Sequence, residues 1–145
     1  MAKTRKRPRH FVLDGSVAMA WFFKDESSPY ADRVAGSFST WRAVVPAIWH
    51  LEIANAVLMG ERRGRSTEAQ ASRWFTYLRS LPVAIDEETN QHAWGDVLNL
   101  GRAYQLSAYD GAYLELAVRH GLELASLDDK LKAAASALGV ALFIP

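Results

Sequence analysis

Cysteine is absent from this sequence of 145 residues. Its absence excludes disulfide bonds, catalytic thiolates and cysteine-based zinc sites, and it fits a protein of the reducing cytosol. Any bound metal must therefore be held by oxygen ligands or by histidine. Half of the residues are hydrophobic, so a single domain of this length can bury a sizeable core.

Long hydrophobic runs are missing as well. The longest runs, residues 17–23 and 43–49, are much too short to cross a bilayer. Asp14 interrupts the stretch that follows the basic N-terminus, which argues against a signal peptide. We expect a soluble, cytoplasmic protein that has no contact with a membrane.

The formal net charge of +1 conceals an uneven distribution of basic residues. Five of the 17 lysines and arginines lie at the N-terminus: Lys3, Arg5, Lys6, Arg7 and Arg9. We interpret residues 1–9 as a disordered tail and residues 10–145 as one folded domain. The alternative is that the tail is an arm that contacts RNA phosphates.

Short apolar segments alternate with segments of helical periodicity along the folded region. The strand candidates are residues 10–13, 43–45, 83–85, 122–125 and a last segment near 140–143. The helix candidates are residues 17–23, 29–38, 46–63, 66–79, 87–102, 107–120 and 129–138. Pro46 is assigned to the first turn of its helix, and Gly64 and Gly121 end two others. The alternation predicts a three-layer α/β/α fold around a mostly parallel sheet of four to five short strands.

Four acidic residues adjoin apolar segments, where a soluble fold usually has neutral side chains: Asp14, Glu52, Asp110 and Asp128. Asp14 directly follows the first strand and Asp128 follows the fourth, so both belong at the carboxyl edge of the sheet, where open α/β sheets bind ligands. If the fold brings the four together, a cation must compensate their charges in a dry site. Mg²⁺ and Mn²⁺ prefer oxygen ligands, and Mg²⁺ commonly bridges carboxylates to substrate phosphates.

Three of these acids also have an ordinary explanation as helix caps. Asp14 is a suitable N-cap. Asp110 completes a capping-box pattern that begins at Ser107. Asp128 and Asp129 both suit the positive end of the last helix, and we expect Asp129 to face solvent.

Glu52 is more informative, because we place it on an apolar stripe of its helix. The stripe is marked by Ile48, Leu51, Asn55, Leu58 and Met59. Asn55, the polar member, lies three residues after Glu52. A carboxylate in this position needs a partner, since glutamate is rarely buried unpaired. The alternatives to a metal ion are a core arginine or a position at the edge of the buried face.

Four segments carry a family resemblance through their order and spacing. They are residues 12–18 (VLDGSVA), 51–56 (LEIANA), 107–117 (SAYDGAYLELA) and 125–131 (ASLDDKL). Together they resemble the PIN-domain ribonucleases, and among these the VapC toxins of bacterial toxin-antitoxin pairs. The resemblance extends from Phe11 to Pro145 and does not include the basic tail. Gly15 and Ser126 stand where many members have alanine and threonine.

The resemblance implies a metal site formed by Asp14, Glu52, Asp110 and Asp128. It implies that the hydroxyls of Ser16 and Ser126 accompany the first and last acids, and that Asn55 orients Glu52. The implied activity is a Mg²⁺- or Mn²⁺-dependent endoribonuclease that leaves a 5′-phosphate on RNA involved in translation. The implied partners are a VapB-like antitoxin that covers the acidic cleft and a second copy of the chain in a homodimer.

An acidic site repels RNA, so nearby basic side chains must supply part of the affinity. Arg62, Arg63 and Arg65, at the end of the Glu52 helix, are the candidates. The alternative is that they only complement the helix dipole. The four histidines are scattered, and we leave them out of the site.

Two rival functions remain for comparison. A phosphatase of the haloacid-dehalogenase type would need an aspartate at position 16, which is Ser16 in this chain. A non-catalytic module that binds RNA or an antitoxin, with acids that merely cap helices, is the alternative function. Trp41, Trp49 and Trp74 are candidates for exposed interaction surfaces, although tryptophan at helical spacing more often belongs to the core.

Overall fold

The computed structural model describes residues 9–145. The predicted tail lies outside the described residues except for Arg9, with which the first strand begins. The strands are β1 (Arg9–Leu13), β2 (Trp41–Pro46), β3 (Val83–Asp86) and β4 (Glu123–Ala125). The helices are α1 (Gly15–Phe22), α2 (Pro29–Gly36), α3 (Trp49–Arg62), α4 (Glu68–Ser80), α5 (Thr89–His92), α6 (Asp96–Tyr104), α7 (Ala108–His120) and α8 (Asp129–Leu138).

A four-stranded parallel sheet flanked by helices organises these elements, which confirms the predicted α/β class. The strand order is β3-β2-β1-β4. The chain therefore moves outward from β1 to β3 and then places β4 on the opposite side of β1. The order reverses between β1 and β4, and the carboxyl ends of these two strands form the switch point at which open α/β sheets bind ligands.

The central strand β1 anchors the core and positions the residue that follows it. Phe11, Val12 and Leu13 are completely buried, as expected for a parallel strand covered on both faces. The ring of Phe11 stacks on Phe143 with 4.0 Å between centroids. Beyond the strand, the Asp14 N–H donates to the carbonyl of Ala125 at 2.9 Å. This bond holds Asp14 beside the end of β4.

The prediction that Pro46 opens a helix is wrong. Pro46 is the last residue of β2, where it pairs in register with Asp86 of β3, and α3 begins only at Trp49. The intervening turn is held by the N–H of Ala47, which donates to Thr89 Oγ1 at 3.0 Å. At the other end of α3, Gly64 adopts a φ of 69°, and Gly121 ends α7 with a φ of 63°, both as predicted.

Two other predicted elements are also corrected. The predicted helix over residues 87–102 is divided into α5 and α6, because Gly95 has φ −113° and ψ −102°, which no helix can accommodate. The predicted last strand near residues 140–143 is reduced to one isolated bridge between Leu124 and Leu142. Within residues 9–145 no helix is both long and apolar enough to cross a membrane.

The tryptophans are divided between core and surface. Trp49 and Trp74 are buried core residues, so neither forms an exposed surface. Trp41 is partly buried against the core. The most exposed large apolar side chain is Trp94, at 92% exposure, in the turn between α5 and α6.

Candidate active site

Asp14 is the buried centre of the candidate site. Its side chain does not cap α1; instead, Ser16 Oγ and Ser126 Oγ donate to its Oδ2 at 2.6 and 2.8 Å. Each serine oxygen also accepts a backbone hydrogen bond of 3.0 Å, from the N–H of Leu127 to Ser16 and of Asp128 to Ser126. A hydroxyl has a single proton, so these backbone donors orient both protons toward Asp14. The arrangement favours an ionised carboxylate.

Glu52 lies half-buried in the first turn of α3 and is oriented by a tyrosine. The hydroxyl of Tyr113 donates to Glu52 Oε1 at 2.7 Å. Burial and the charges of Glu52 and Asp14 raise the pKa of Tyr113, so the phenol stays protonated and donates. The sequence analysis gave Tyr113 no role. Its place three residues after Asp110, on the same face of α7, was the available signal.

Asp110 and Asp128 lie in the first turn of α7 and at the start of α8. The Asp110 N–H donates to the N-cap hydroxyl of Ser107 at 3.1 Å, and no capping-box bond returns from the Asp110 carboxylate among residues 9–145. Asp128 does cap α8, since its Oδ1 accepts from the N–H of Leu131 at 2.8 Å. Its Oδ2 takes no part in that bond. Helix capping therefore leaves carboxylate oxygens of both residues available.

The charges of neighbouring carboxylates raise the pKa of Asp14, Glu52 and Asp110. Burial raises the pKa of Asp14, the two serine hydroxyls lower it, and the charges of Asp110 and Asp128 raise it again, for a net increase. Burial also raises the pKa of Glu52 against the hydrogen bond from Tyr113, and the charges of Asp14 and Asp110 add to the increase. Burial and the charge of Asp128 raise the pKa of Asp110. The fold thus brings together carboxylates that repel one another.

No basic side chain within residues 9–145 forms an ion pair with these four acids. Lys130 lowers the pKa of Asp110 through its charge but does not pair with it. The donor set consists of oxygen atoms alone and carries excess negative charge, which fits Mg²⁺ or Mn²⁺. The carboxylates are not among the groups whose ligand atoms all lie within 4.8 Å of one another.

Comparison with known proteins places this architecture in a family. The family model of the PIN domain matches residues 11–137. The chain belongs to the PIN-domain family. It is 28% identical over 120 residues to Ribonuclease VapC3 of Pyrobaculum aerophilum, a match that covers 83% of this chain and 90% of that protein. The resemblance inferred from the four sequence segments is thereby confirmed.

Two solved structures share the fold of this PIN domain. PAE2754 from Pyrobaculum aerophilum aligns with a TM-score of 0.63 and 22% identity, covering 88% of this chain and 84% of the other. FitAcB from Neisseria gonorrhoeae aligns with a TM-score of 0.57 and 19% identity, covering 93% and 97% of the two chains. These similarities establish the shared fold.

A second group of charged residues in this PIN domain is built around Arg119. Arg119 Nε donates to Glu115 at 2.7 Å, one of its terminal nitrogens donates to Glu88 at 3.1 Å, and the other bonds to Asp86. Two triads here bring potential ligand atoms within 4.8 Å of one another: Asp86, Glu88 and His120, and His92, Asp96 and Glu115. The guanidinium of Arg119 hydrogen-bonds to both buried carboxylates, so Asp86 and Glu115 already have an ion-pair partner, unlike the four acids of the candidate site. Local sequence patterns do not reveal the whole group, since its members come from β3, α6, α7 and the region of α5.

The predicted apolar stripe around Glu52 is wrong. The buried face of α3 is formed by Trp49, Ile53 and Val57, whereas Leu51 is 75% exposed. Apolar residues occur on most sides of α3, and the large area of Trp49 decides which side faces the core. Glu52 lies at the border of the buried face, which is one of the positions that the sequence left open.

Asn55 does not orient Glu52 as expected. Among residues 9–145, Asn55 forms no hydrogen bond with Glu52, and its side chain is exposed. Tyr113, from another helix, provides the orienting hydrogen bond instead.

The three arginine candidates for RNA contact differ in availability. Arg65 forms an ion pair with Asp25 at 2.9 Å, and its guanidinium lies 4.1 Å from the centroid of the Phe23 ring. One terminal nitrogen of Arg65, Nη2, is therefore already engaged. Arg62 and Arg63 are exposed at the C-terminal end of α3. At a rise of about 1.5 Å per residue, Arg62 lies roughly 15 Å along the helix from the first turn, within reach of an RNA strand that occupies the site.

Proposed function

We propose that this PIN domain is a Mg²⁺- or Mn²⁺-dependent endoribonuclease. The observation that carries the proposal is the group of four carboxylates at the switch point of the sheet, which has no ion-pair partner within residues 9–145. The similarity to Ribonuclease VapC3 supports RNA as the substrate.

The residues that would hold the metal are Asp14, Glu52, Asp110 and Asp128. A bound divalent ion lowers the pKa of a coordinated water and stabilises negative charge that develops on the phosphate oxygens. Ser16 and Ser126 both donate to Asp14 Oδ2, which favours its ionised form and opposes part of the effect of burial. Tyr113 fixes one oxygen of Glu52. This mechanism requires no side-chain nucleophile, and its expected product is a 5′-phosphate.

We further infer that the protein is the toxin of a toxin-antitoxin pair and acts in the cytoplasm as a homodimer. The match to Ribonuclease VapC3 over most of both chains supports the assignment as a toxin, whereas the homodimer and the cytoplasmic location rest on the family resemblance. A VapB-like antitoxin would neutralise the toxin by covering the acidic site. The antitoxin surface that contacts the site must then carry positive charge, because the carboxylates give the site a net negative charge. The mass of the purified protein in solution tests the homodimer directly.

Arg62 and Arg63 are the proposed RNA contacts at the end of α3. Replacing both by alanine should weaken RNA binding, and the slope of log affinity against log salt should decrease by roughly 1.4 for a single strand. Arg65→Ala provides the comparison, because the Arg65 guanidinium is already paired with Asp25. Unchanged affinity and slope in the double variant would contradict the proposed contacts.

The decisive experiment is incubation of the purified protein with total cellular RNA in Mg²⁺, in Mn²⁺ and in EDTA. Discrete products that depend on the metal and disappear in Asp14→Asn would support the proposed nuclease and identify its target. If neither metal supports cleavage, or if Asp14→Asn cleaves as the wild type does, the protein is a binding module of the same fold or uses another site.

A further inference from the structure

An apolar groove of about 570 Å³ adjoins the candidate site along α3. Its lining includes Met19, Ile48, Leu51, Glu52, Asn55 and Tyr109. Leu51 and Tyr109 are 75% and 62% exposed, although both are large apolar side chains. The groove is therefore an open, largely apolar surface that shares Glu52 with the carboxylate site.

The groove and the carboxylate site are continuous. Glu52 belongs to both, and Tyr109 immediately precedes Asp110 in the first turn of α7. In a nucleotide the base is joined through the ribose to the phosphate. A phosphate at the carboxylates therefore brings its own or the adjacent base to the neighbouring cavity. The acidic border of the groove repels further phosphates, whereas a neutral base is not repelled.

The side chains of the groove provide both kinds of contact that an unpaired base requires. The ring of Tyr109 makes no aromatic contact within residues 9–145, so its face is available for stacking. Asn55 is exposed, and its amide offers a donor and an acceptor. Proteins read unpaired RNA bases by stacking on aromatic rings and by hydrogen bonds to base edges.

We propose that this groove binds one unpaired nucleobase next to the scissile phosphate, stacked on Tyr109 and contacted at its edge by Asn55. The inference rests on the proposed ribonuclease function and adds a contact to the base beside the cleaved phosphate. It also gives Asn55 a role in substrate binding.

The test uses a short single-stranded RNA that contains the mapped cleavage site, with and without an abasic nucleotide beside the cleaved bond. Tyr109→Ala should lower kcat/KM about 5- to 150-fold, the range expected for the loss of one base–aromatic stack. Tyr109→Phe keeps the ring and should cleave nearly as well as the wild type. Trp94→Ala is the matched control, since it removes an even more exposed aromatic residue outside the groove.

The abasic RNA separates a stacking role from a structural one. The missing base should slow the wild type by a factor similar to that of Tyr109→Ala, and it should not slow Tyr109→Ala further. Equal cleavage of both RNAs by the wild type and Tyr109→Ala would overturn the base site while leaving the ribonuclease intact. Unchanged cleavage together with a changed solution mass would assign the groove to a second copy and also overturn it. If the wild type cleaves no RNA, both proposals fail.

Discussion

Replacing Tyr113 by phenylalanine removes one hydroxyl from the candidate site and leaves a ring of the same shape in the core. The hydroxyl donates to Glu52 Oε1 at 2.7 Å, and Tyr113 is fully buried. A hydrogen bond to a charged group contributes roughly 1.5–3 kcal/mol to stability. Glu52 is half-buried, so water replaces part of the lost bond, and we expect a decrease of about 1.5 kcal/mol in the free energy of unfolding.

The larger effect of Tyr113→Phe should appear in metal binding. The loss of a group that orients a metal ligand commonly reduces metal affinity or activity about 10- to 100-fold. We therefore expect the Mg²⁺ concentration for half-maximal RNA cleavage to increase by about this factor. A calorimetric titration with Mn²⁺ should show a matching loss of affinity that does not depend on cleavage.

Ser37→Ala is the control for a general loss of stability. Ser37 is buried, and its hydroxyl donates to the carbonyl of Val34 at 2.6 Å, at the end of α2. This variant should lower stability without changing the metal requirement. If Tyr113→Phe leaves the metal requirement unchanged, or if both variants shift it equally, the role assigned to Tyr113 is refuted.

Two further predictions concern stability. Burial raises the pKa of Asp86, but the hydrogen bonds and charge of Arg119, together with hydrogen bonds from the Glu88 N–H and Thr89, lower it below its usual value. The ionised form therefore stabilises the fold above a pH of about 4, and this contribution is lost as the pH falls through the lowered value. Asp86→Asn should therefore destabilise by about 2 kcal/mol at pH 7 and by much less near pH 3, as measured by urea unfolding. A Cβ on Gly60 would lie 2.7 Å from the Phe23 ring, so Gly60→Ala should lose about 1–2 kcal/mol. Gly36→Ala, with no atom within 4 Å of its Cβ, should not be destabilised; equal urea midpoints for the two variants would contradict the packing argument.

The sequence was sufficient where local rules decide the structure. Asp14 and Asp128 follow short apolar strands, and the carboxyl ends of parallel strands share one edge of a sheet, so their common location was predictable. The end of α7 was also predictable, because Gly121 supplies the left-handed conformation that closes a helix.

The sequence was insufficient where long-range packing chooses among local alternatives. The buried side of α3 depends on the pocket that receives Trp49, so Leu51 was assigned to the wrong face. Tyr113, the partner of Glu52, and Asp86, one partner of Arg119, come from distant segments, and no periodicity within one helix reveals them. Gly95 separates two helices through a backbone conformation that the presence of glycine permits but does not require.

The most direct test uses electron paramagnetic resonance to measure Mn²⁺ binding by the wild type and by one variant in each of the two carboxylate clusters. The wild type should bind Mn²⁺, and Asp110→Asn should lose most of this binding. Glu88→Gln should retain it, because Glu88 lies outside the four-carboxylate site and is already paired with Arg119. If Asp110→Asn binds Mn²⁺ as tightly as the wild type, or if Glu88→Gln abolishes binding, the four carboxylates are not the metal site.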